Sequence, residues 1–386
     1  MTMQNVINPP AMLGMLGGGQ LGRFFVIAAH EMGFAVTVLD PDENSPAGKI
    51  ADVHLCANYD DETALDTMAT TCQAVTTEFE NVPAATLEKL ALTTTVRPSA
   101  ASVAIAQNRV LEKNFIKEAG LPVAPFIVIN ALTDLPEDGS PLYPAILKVA
   151  RFGYDGKGQA RVKNQAEAQV AFTLFKQEVC VLEQMLPLDL EISVVLARDN
   201  NGNIEAYATA ENSHLNGILD ISIAPARCST VINANARELA KKLAEKLNYV
   251  GVLGVEFFVV GKQLLVNEIA PRPHNSGHYT IDACVTNQFE QQVRVLAGLP
   301  LGDASLHSNA VMVNILGDSW FAREKHTPLE PAWNKACSHV NLKLHLYSKA
   351  EPRKARKMGH FTVIGKNAKA VLNTALIARS ELHIGE

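Results

Sequence analysis

The chain has 386 residues, more than one hydrophobic core ordinarily supports, so two or three domains of about 100 to 200 residues are expected. Hydrophobic residues make up 47% and charged residues 19%, a balance that excludes a disordered chain. Lys and Arg number 34 against 40 Asp and Glu, a formal charge of −6, which excludes a basic coat for nucleic acid and confines any anion site to a local cluster.

In chain order, the start "MTMQNVINPP" lacks a charged segment followed by an apolar run, and no apolar stretch approaches the roughly 20 residues of a membrane helix. A cytoplasmic address with no membrane partner is expected. "AMLGML" reads as a strand, "GGGQ" as a turn, and "LGRFFVIAAHEMG" as a helix ended by Gly33. Strand "AVTVLD" follows, then "ADVHLC" and "CQAVTTEF", which together suggest a doubly wound α/β domain closing near residue 107. Gly17, Gly19 and Gly22 have the spacing G-x-G-x-x-G, and Asp40 ends the next strand. That pattern fits a nicotinamide dinucleotide or some other phosphate.

"NRVLEKNFIKEAGLPVAPF" predicts a helix with Leu111, Phe115 and Ala119 on one face, Gly120 at its end and Pro122 beyond. From Tyr143 the pattern is strand, glycine loop, strand, then "VCVLEQML", then a hairpin turning at Asp199 to Gly202. A helix through Leu239, Leu243 and Leu247 precedes the hairpin "VLGVEFFVVGKQLLVNEIA". The last segment is short and mixed, with strands near "AVMVNILG" and "VNLKLHLY". The six cysteines lie far apart without metal-ligand spacing and read as reduced thiols.

Three constellations carry chemistry. A three-residue turn, Gly261 to Gln263, would set Glu256 directly opposite Glu268 on one face of the hairpin. Opposed like charges destabilise a sheet unless a cation lies between them, and oxygen ligands of this kind suit Mg²⁺. A two-residue turn would instead send the glutamates to opposite faces, and a solvated pair is the bland alternative. In "KVARFGYDGKGQ", Gly153, Gly156 and Gly158 free the backbone to close over phosphates while Lys148 and Lys157 supply charge, although such a loop is more commonly a plain hairpin tip. Finally, "YSKAEPRKARKMGH" and "APRPHNSGH" concentrate basic groups, either a solvated face or a pocket for phosphate or carboxylate.

The succession GGGQLGR, TEFENVP, GYDGKGQ, an E…NE pair running into IAPRPHNSGH, and LHLYSK…RKMGH resembles the N5-carboxyaminoimidazole ribonucleotide synthases, ATP-grasp ligases of purine biosynthesis, over nearly the whole chain. The resemblance implies an α/β and α+β architecture. A Rossmann-like pre-ATP-grasp domain would span 1–107. An ATP-grasp domain of two subdomains would span 108–300, with a lid at about 121–186, and a small C-terminal domain 301–386. A homodimer is implied.

By the same resemblance Gly19, Gln20 and Leu21 cradle the 5′-phosphate of aminoimidazole ribonucleotide, with Glu80, Asp155, Lys349 and Arg356 also on that substrate. ATP would meet Arg109, Lys148, the loop Gly153, Tyr154, Asp155, Gly156, Lys157, Gly158 and Gln159, then Glu183, Gln184, Met185 and Leu186, and finally Glu191, His214, Asn267 and Glu268. Glu256 and Glu268 would bind Mg²⁺, with Mn²⁺ able to replace it. Arg272, His274, Asn275 and Ser276 would hold bicarbonate or carboxyphosphate, with Lys349 beside them, and His274 is a candidate to move a proton. Phe24 stands where such enzymes often have methionine, and Lys354 and Ala355 where they often have proline and glycine, leaving Arg353 and Arg356 in competition for the phosphate. Spacing back to Lys349 favours Arg356. The competing expectations are a formate-dependent glycinamide ribonucleotide transformylase and, from another class, an NAD-dependent oxidoreductase.

Overall fold

The computed structural model describes residues 6–151, 158–322 and 327–385. Strands Met12–Leu16, Ala35–Leu39 and Ala74–Thr77 are buried almost throughout, as strands covered on both faces must be, and their only polar residues are Thr37, Thr76 and Thr77. With Val53–Leu55 and Thr95–Val96 they form a parallel sheet in which Met12–Leu16 lies between Ala35–Leu39 and Ala74–Thr77. The chain order reverses beside that central strand, so its carboxyl end opens into the crevice where doubly wound sheets bind ligands. The helix Gln20–Glu31 starts there. Its C-cap is Met32, and Gly33, at φ +80°, is the residue just beyond.

A second, antiparallel sheet runs Gln263–Ala270, Gly251–Val260, Leu190–Arg198, Ala210–Leu215, Ile218–Ala224, Asn309–Leu316, Lys357–Gly365, Leu342–Leu346, with Ile204–Ala206 also paired to Leu190–Arg198. The strands after residue 300 thus continue the ladder that carries the glutamate hairpin. A third, four-stranded sheet orders Phe126–Ile129, Cys180–Gln184, Ala145–Val149, Gln159–Val162. Two connections join it to the rest, each pinned by one backbone hydrogen bond: Val266 N to Pro122 O at 2.8 Å and Asp189 N to Val259 O at 2.9 Å.

Several elements depart from expectation. The helix Arg109–Glu118 buries Glu112, Lys113 and Ile116, while Leu111 is 50% exposed. Its inward face is charged because it borders a cleft. The helix Thr230–Lys246 begins nine residues before Leu239, where the Ser229 side chain accepts a hydrogen bond from Ile232 N. Helix Gln288–Ala297, absent from the sequence-based reading, is capped by Asn287 and ended by Gly298 at φ +72°. It buries Phe289, Val293 and Leu296 against Phe25, Val26 and Ala29, while Val295 on its other side packs with Val195, Ala197 and Val252 of the second sheet, so the helix links two cores. Each such large apolar side chain contributes about 2 kcal/mol on burial.

Candidate active site

The glycine loop is held from below by Asp40, whose carboxylate accepts hydrogen bonds from Gly18 N at 2.7 Å and Tyr59 Oη at 2.7 Å. A dinucleotide fold would spend that aspartate on a ribose; here it is spent on the loop. Glu78 accepts from Gly19 N and from Gly22 N, the latter at 2.7 Å, and so occupies two of the first-turn amides. A Cβ at Gly22 would stand 2.6 Å from the Gly17 carbonyl oxygen, and Gly17 itself has φ +103°. Only glycine fits that turn.

This loop forms one end of a cleft of about 1210 Å³. Gln20, Leu21, Glu80, Arg272, His274 and Asn275 line that end; Glu191, His214, Glu256, Asn267, Glu268 and Arg109 line the middle. Lys148, Gln159, Glu183, Gln184, Met185 and Leu186 line the far end, on the four-stranded sheet. Gly158 flanks it at φ +68°; Gly153, Tyr154, Asp155, Gly156 and Lys157 lie outside the described residues.

Glu256 and Glu268 are directly paired, by a different route from the expected one. The turn takes two residues, since Val260 pairs with Gln263, and a bulge at Asn267 then restores the register, so that the two shifts cancel. Burial and then the neighbouring Glu268 push the Glu256 carboxyl up to about 7. Two carboxylates and an adjacent amide oxygen are a hard-cation donor set, and a divalent ion would relieve this repulsion. Arg109 Nη1 lies 3.3 Å from Glu268 Oε2, and His214 Nδ1 lies 3.0 Å from Glu191 Oε2.

At the far end Glu183 sits between Lys113 at 2.6 Å and Lys148 at 3.0 Å. Burial would raise its carboxyl, but the two ammonium groups hold it down to about 2. At the loop end Glu80 pairs with Arg272 at 2.5 Å, and against the upward pull of burial that guanidinium holds Glu80 at about 2. His274 is different: burial, then Arg272 and Lys357, push it down to about 3. That direction favours the neutral imidazole.

Its orientation comes from a buried chain of donors. Ser222 Oγ donates to Asn212 Oδ1 at 2.7 Å, Asn212 Nδ2 to Ser193 Oγ at 2.9 Å, and Ser193 Oγ to Ser276 Oγ at 2.7 Å. Ser276 Oγ, 2.8 Å from His274 Nδ1, is left to donate to it, placing the ring proton on Nε2, which is 3.4 Å from Glu256. Ser276 therefore acts through His274 and does not line the cleft. Asn275 does line it, and both its amide atoms are buried without a partner among the described residues.

Three matched domain families cover this arrangement: a ribonucleotide synthetase pre-ATP-grasp domain at residues 11–107, an ATP-grasp domain at 114–289, and a phosphoribosylaminoimidazole carboxylase C-terminal domain at 310–374. An N5-carboxyaminoimidazole ribonucleotide synthase of Bacillus subtilis is 43% identical over 361 residues, 93% of either chain. The chain belongs to the N5-carboxyaminoimidazole ribonucleotide synthase family. An ADP complex of such a synthetase superposes over 100% of both chains with a TM-score of 0.92 at 39% identity. An Aspergillus clavatus synthase in complex with ADP and 5-aminoimidazole ribonucleotide gives 0.86 at 30% identity, covering 98% of this chain and 99% of that one.

Within this synthase fold, Lys349 Nζ reaches Gln20 Oε1 at 2.8 Å and so brings the C-terminal strands to the glycine loop. Neither Arg353 nor Arg356 lines the cleft: Arg353 pairs with Glu351 at 3.0 Å and Arg356 donates to the Glu351 carbonyl at 2.8 Å. Lys357 lines it in their place. Sequence reasoning also missed Glu78, Glu112 and Lys113. The 109, 112, 113 spacing was a usable signal, since it sets three charges on one face of a helix. Burial and then Glu268 raise Glu112 to about 8, and its Oε1 accepts from Ile269 N at 2.6 Å.

Proposed function

We propose that the protein carboxylates the exocyclic amine of 5-aminoimidazole ribonucleotide with bicarbonate, using ATP and releasing ADP and phosphate by way of carboxyphosphate. The observation that carries this reading is a single cleft with the opposed glutamates at its centre, the buried Lys148 and Glu183 at one end, and at the other the glycine loop, whose Gln20 is held by Lys349. Relatives bearing the synthase name support it over a transformylase. The commitment of Asp40 to the loop removes the feature that favoured an oxidoreductase.

Glu256 and Glu268, with Asn267 beside them, fit Mg²⁺ or Mn²⁺, which when bound supplies charge neutralisation on the transferring phosphoryl group. Lys148 and Arg109 add fixed positive charge along the nucleotide, with Gln184, Met185 and Leu186 beside the base and Glu191 on the ribose. Bicarbonate attacks the γ-phosphate in line, and the carboxyphosphate formed, or the CO₂ it releases, carboxylates the amine. Arg272 and the Nε2–H of His274 hold the anion, and the free amide of Asn275 adds a donor. A neutral imidazole donates without serving as the base. Glu80 keeps Arg272 in position from behind. Gln20, Leu21 and Lys349 take the ribonucleotide phosphate, with Lys357 close by.

The same reading treats 1–107, 108–300 and 301–386 as functional units, and includes a homodimer and a cytoplasmic setting on the strength of the family resemblance. Among the described residues no helix is long and apolar enough to cross a membrane. The test is ADP release with the ribonucleotide and bicarbonate supplied separately and together. Strict dependence on the ribonucleotide is expected; stimulation by formate and glycinamide ribonucleotide instead would refute the assignment.

A further inference from the structure

Outside the cleft, the rings of His278, His345 and His360 gather around Phe24, with centroids 5.6, 6.0 and 5.8 Å from it. His345 and His360 are paired directly on neighbouring antiparallel strands, and their rings stack with centroids 4.6 Å apart. Residues so paired project to the same side of a sheet. Facing them from the short helix Thr280–Ala283 is Asp282, whose Oδ2 lies 2.8 Å from His345 Nε2. One donor atom each from Asp282, His345 and His360 falls within 4.8 Å of the others.

A second observation concerns His360. It is fully buried, and its Nδ1 lies 2.8 Å from Tyr347 Oη, but its Nε2 has no partner among the described residues. Leaving a buried imidazole nitrogen unpaired is costly. If Nδ1–H is given to the tyrosine oxygen, Nε2 presents a bare lone pair, the way an outer partner prepares a ligating histidine. His278 is excluded from the ligand set: Gln288 Nε2, 3.2 Å away, donates to its Nδ1, so its proton sits on Nε2.

We propose that Asp282, His345 and His360 bind one divalent transition-metal ion, zinc by donor chemistry, which clasps the C-terminal strands to the body of the protein. Two imidazoles and a carboxylate are a nitrogen-rich set that suits zinc and not magnesium. Bonds of about 2.0–2.1 Å to a tetrahedral zinc put donor atoms about 3.3 Å apart, so the set contracts by roughly 1.5 Å at its widest. The ion replaces the proton shared by His345 and Asp282. The side chains of those two are 22% and 9% exposed, which gives the ion a route in and leaves room for water as fourth ligand. This inference does not rest on the ligase reading.

Co²⁺ reports such a site directly. Chelator-treated protein, titrated with Co²⁺ under saturating Mg²⁺ and ADP, is expected to develop the visible absorption of a four-coordinate ion at one equivalent, displaced by Zn²⁺. His345→Gln and Asp282→Asn each weaken this binding at least 10-fold, and Zn²⁺ raises the Tm of the wild type but not of His345→Gln. Glu268→Gln retains the absorption. Circular dichroism and urea unfolding establish that each variant is folded before it is titrated. Absence of the absorption from the wild type, or its full persistence in His345→Gln, overturns the proposal.

Discussion

Glu268 illustrates how much one charge decides. Its carboxylate repels the buried Glu256 across the hairpin, so Glu268→Gln removes a repulsion from the ligand-free protein while taking away a proposed cation ligand. Metal-dependent ADP release is expected to fall at least about 100-fold. Stability changes by no more than about 0.5 kcal/mol, read as the urea midpoint beside the kinetic assay. Lys113 presents the opposite case. It is buried against Glu183, and Lys113→Met leaves that carboxylate with Lys148 alone, a loss of about 3 kcal/mol near neutrality. The sign of its pH dependence follows from the depressed carboxyl. Glu183 ionises at about 2 when folded and about 4.3 when unfolded, so its contribution is complete above about 4.3 and disappears as pH falls through 2. The stability gap between wild type and variant, measured by urea unfolding, should therefore narrow from pH 7 to pH 3; a constant gap would show that Lys113 acts through packing.

At the scale of elements, three adjacent strands cooperate to orient one ring. Ser193, Asn212 and Ser222 each come from a different strand of the large sheet and pass a fixed donor direction to Ser276 and on to His274. Ser276→Ala is predicted to lower kcat about 10-fold with little change in KM for ATP. The ¹⁵N shifts of His274 should also report a mixed tautomer; unchanged shifts would remove the orienting role. No spacing rule could have shown this relay, because serines and an asparagine on three neighbouring strands carry no periodic signal. The doubly wound opening was legible, since apolar strands, a glycine turn and an amphipathic helix each follow from local patterning. The glutamate hairpin was legible in outcome but not in route. The two-residue turn that would have separated the carboxylates is present, and the extra residue at Asn267 cancels it. Bulges depend on the partner strand, which local sequence does not name. The charged face of Arg109–Glu118 was misread for a related reason: an apolar stripe marks the buried side only when the helix borders a core.

For the whole molecule, the cleft is completed by chain ends far apart in sequence. Lys349 joins the C-terminal strands to Gln20 on the first helix, so Lys349→Met should raise KM for the aminoimidazole ribonucleotide at least 10-fold and leave KM for ATP unchanged. Steady-state kinetics with each substrate varied in turn would separate the two, and equal effects on both would deny the lysine a substrate-specific role. The large sheet runs unbroken from the glutamate hairpin to the strand Leu342–Leu346, just before this lysine. The four-stranded sheet is joined to the rest by two chain connections at Pro122 and Asp189, and by Arg109 N to Ala150 O and the Lys113–Glu183 pair from the helix Arg109–Glu118. Mechanically, that makes the ribonucleotide end an anvil and the nucleotide end a hammer on a double pivot at Pro122 and Asp189. On the proposed function, a swing of the smaller layer about that pivot would open the nucleotide end while the glycine loop stays fixed, and it would have to part Lys113 from Glu183 on the way.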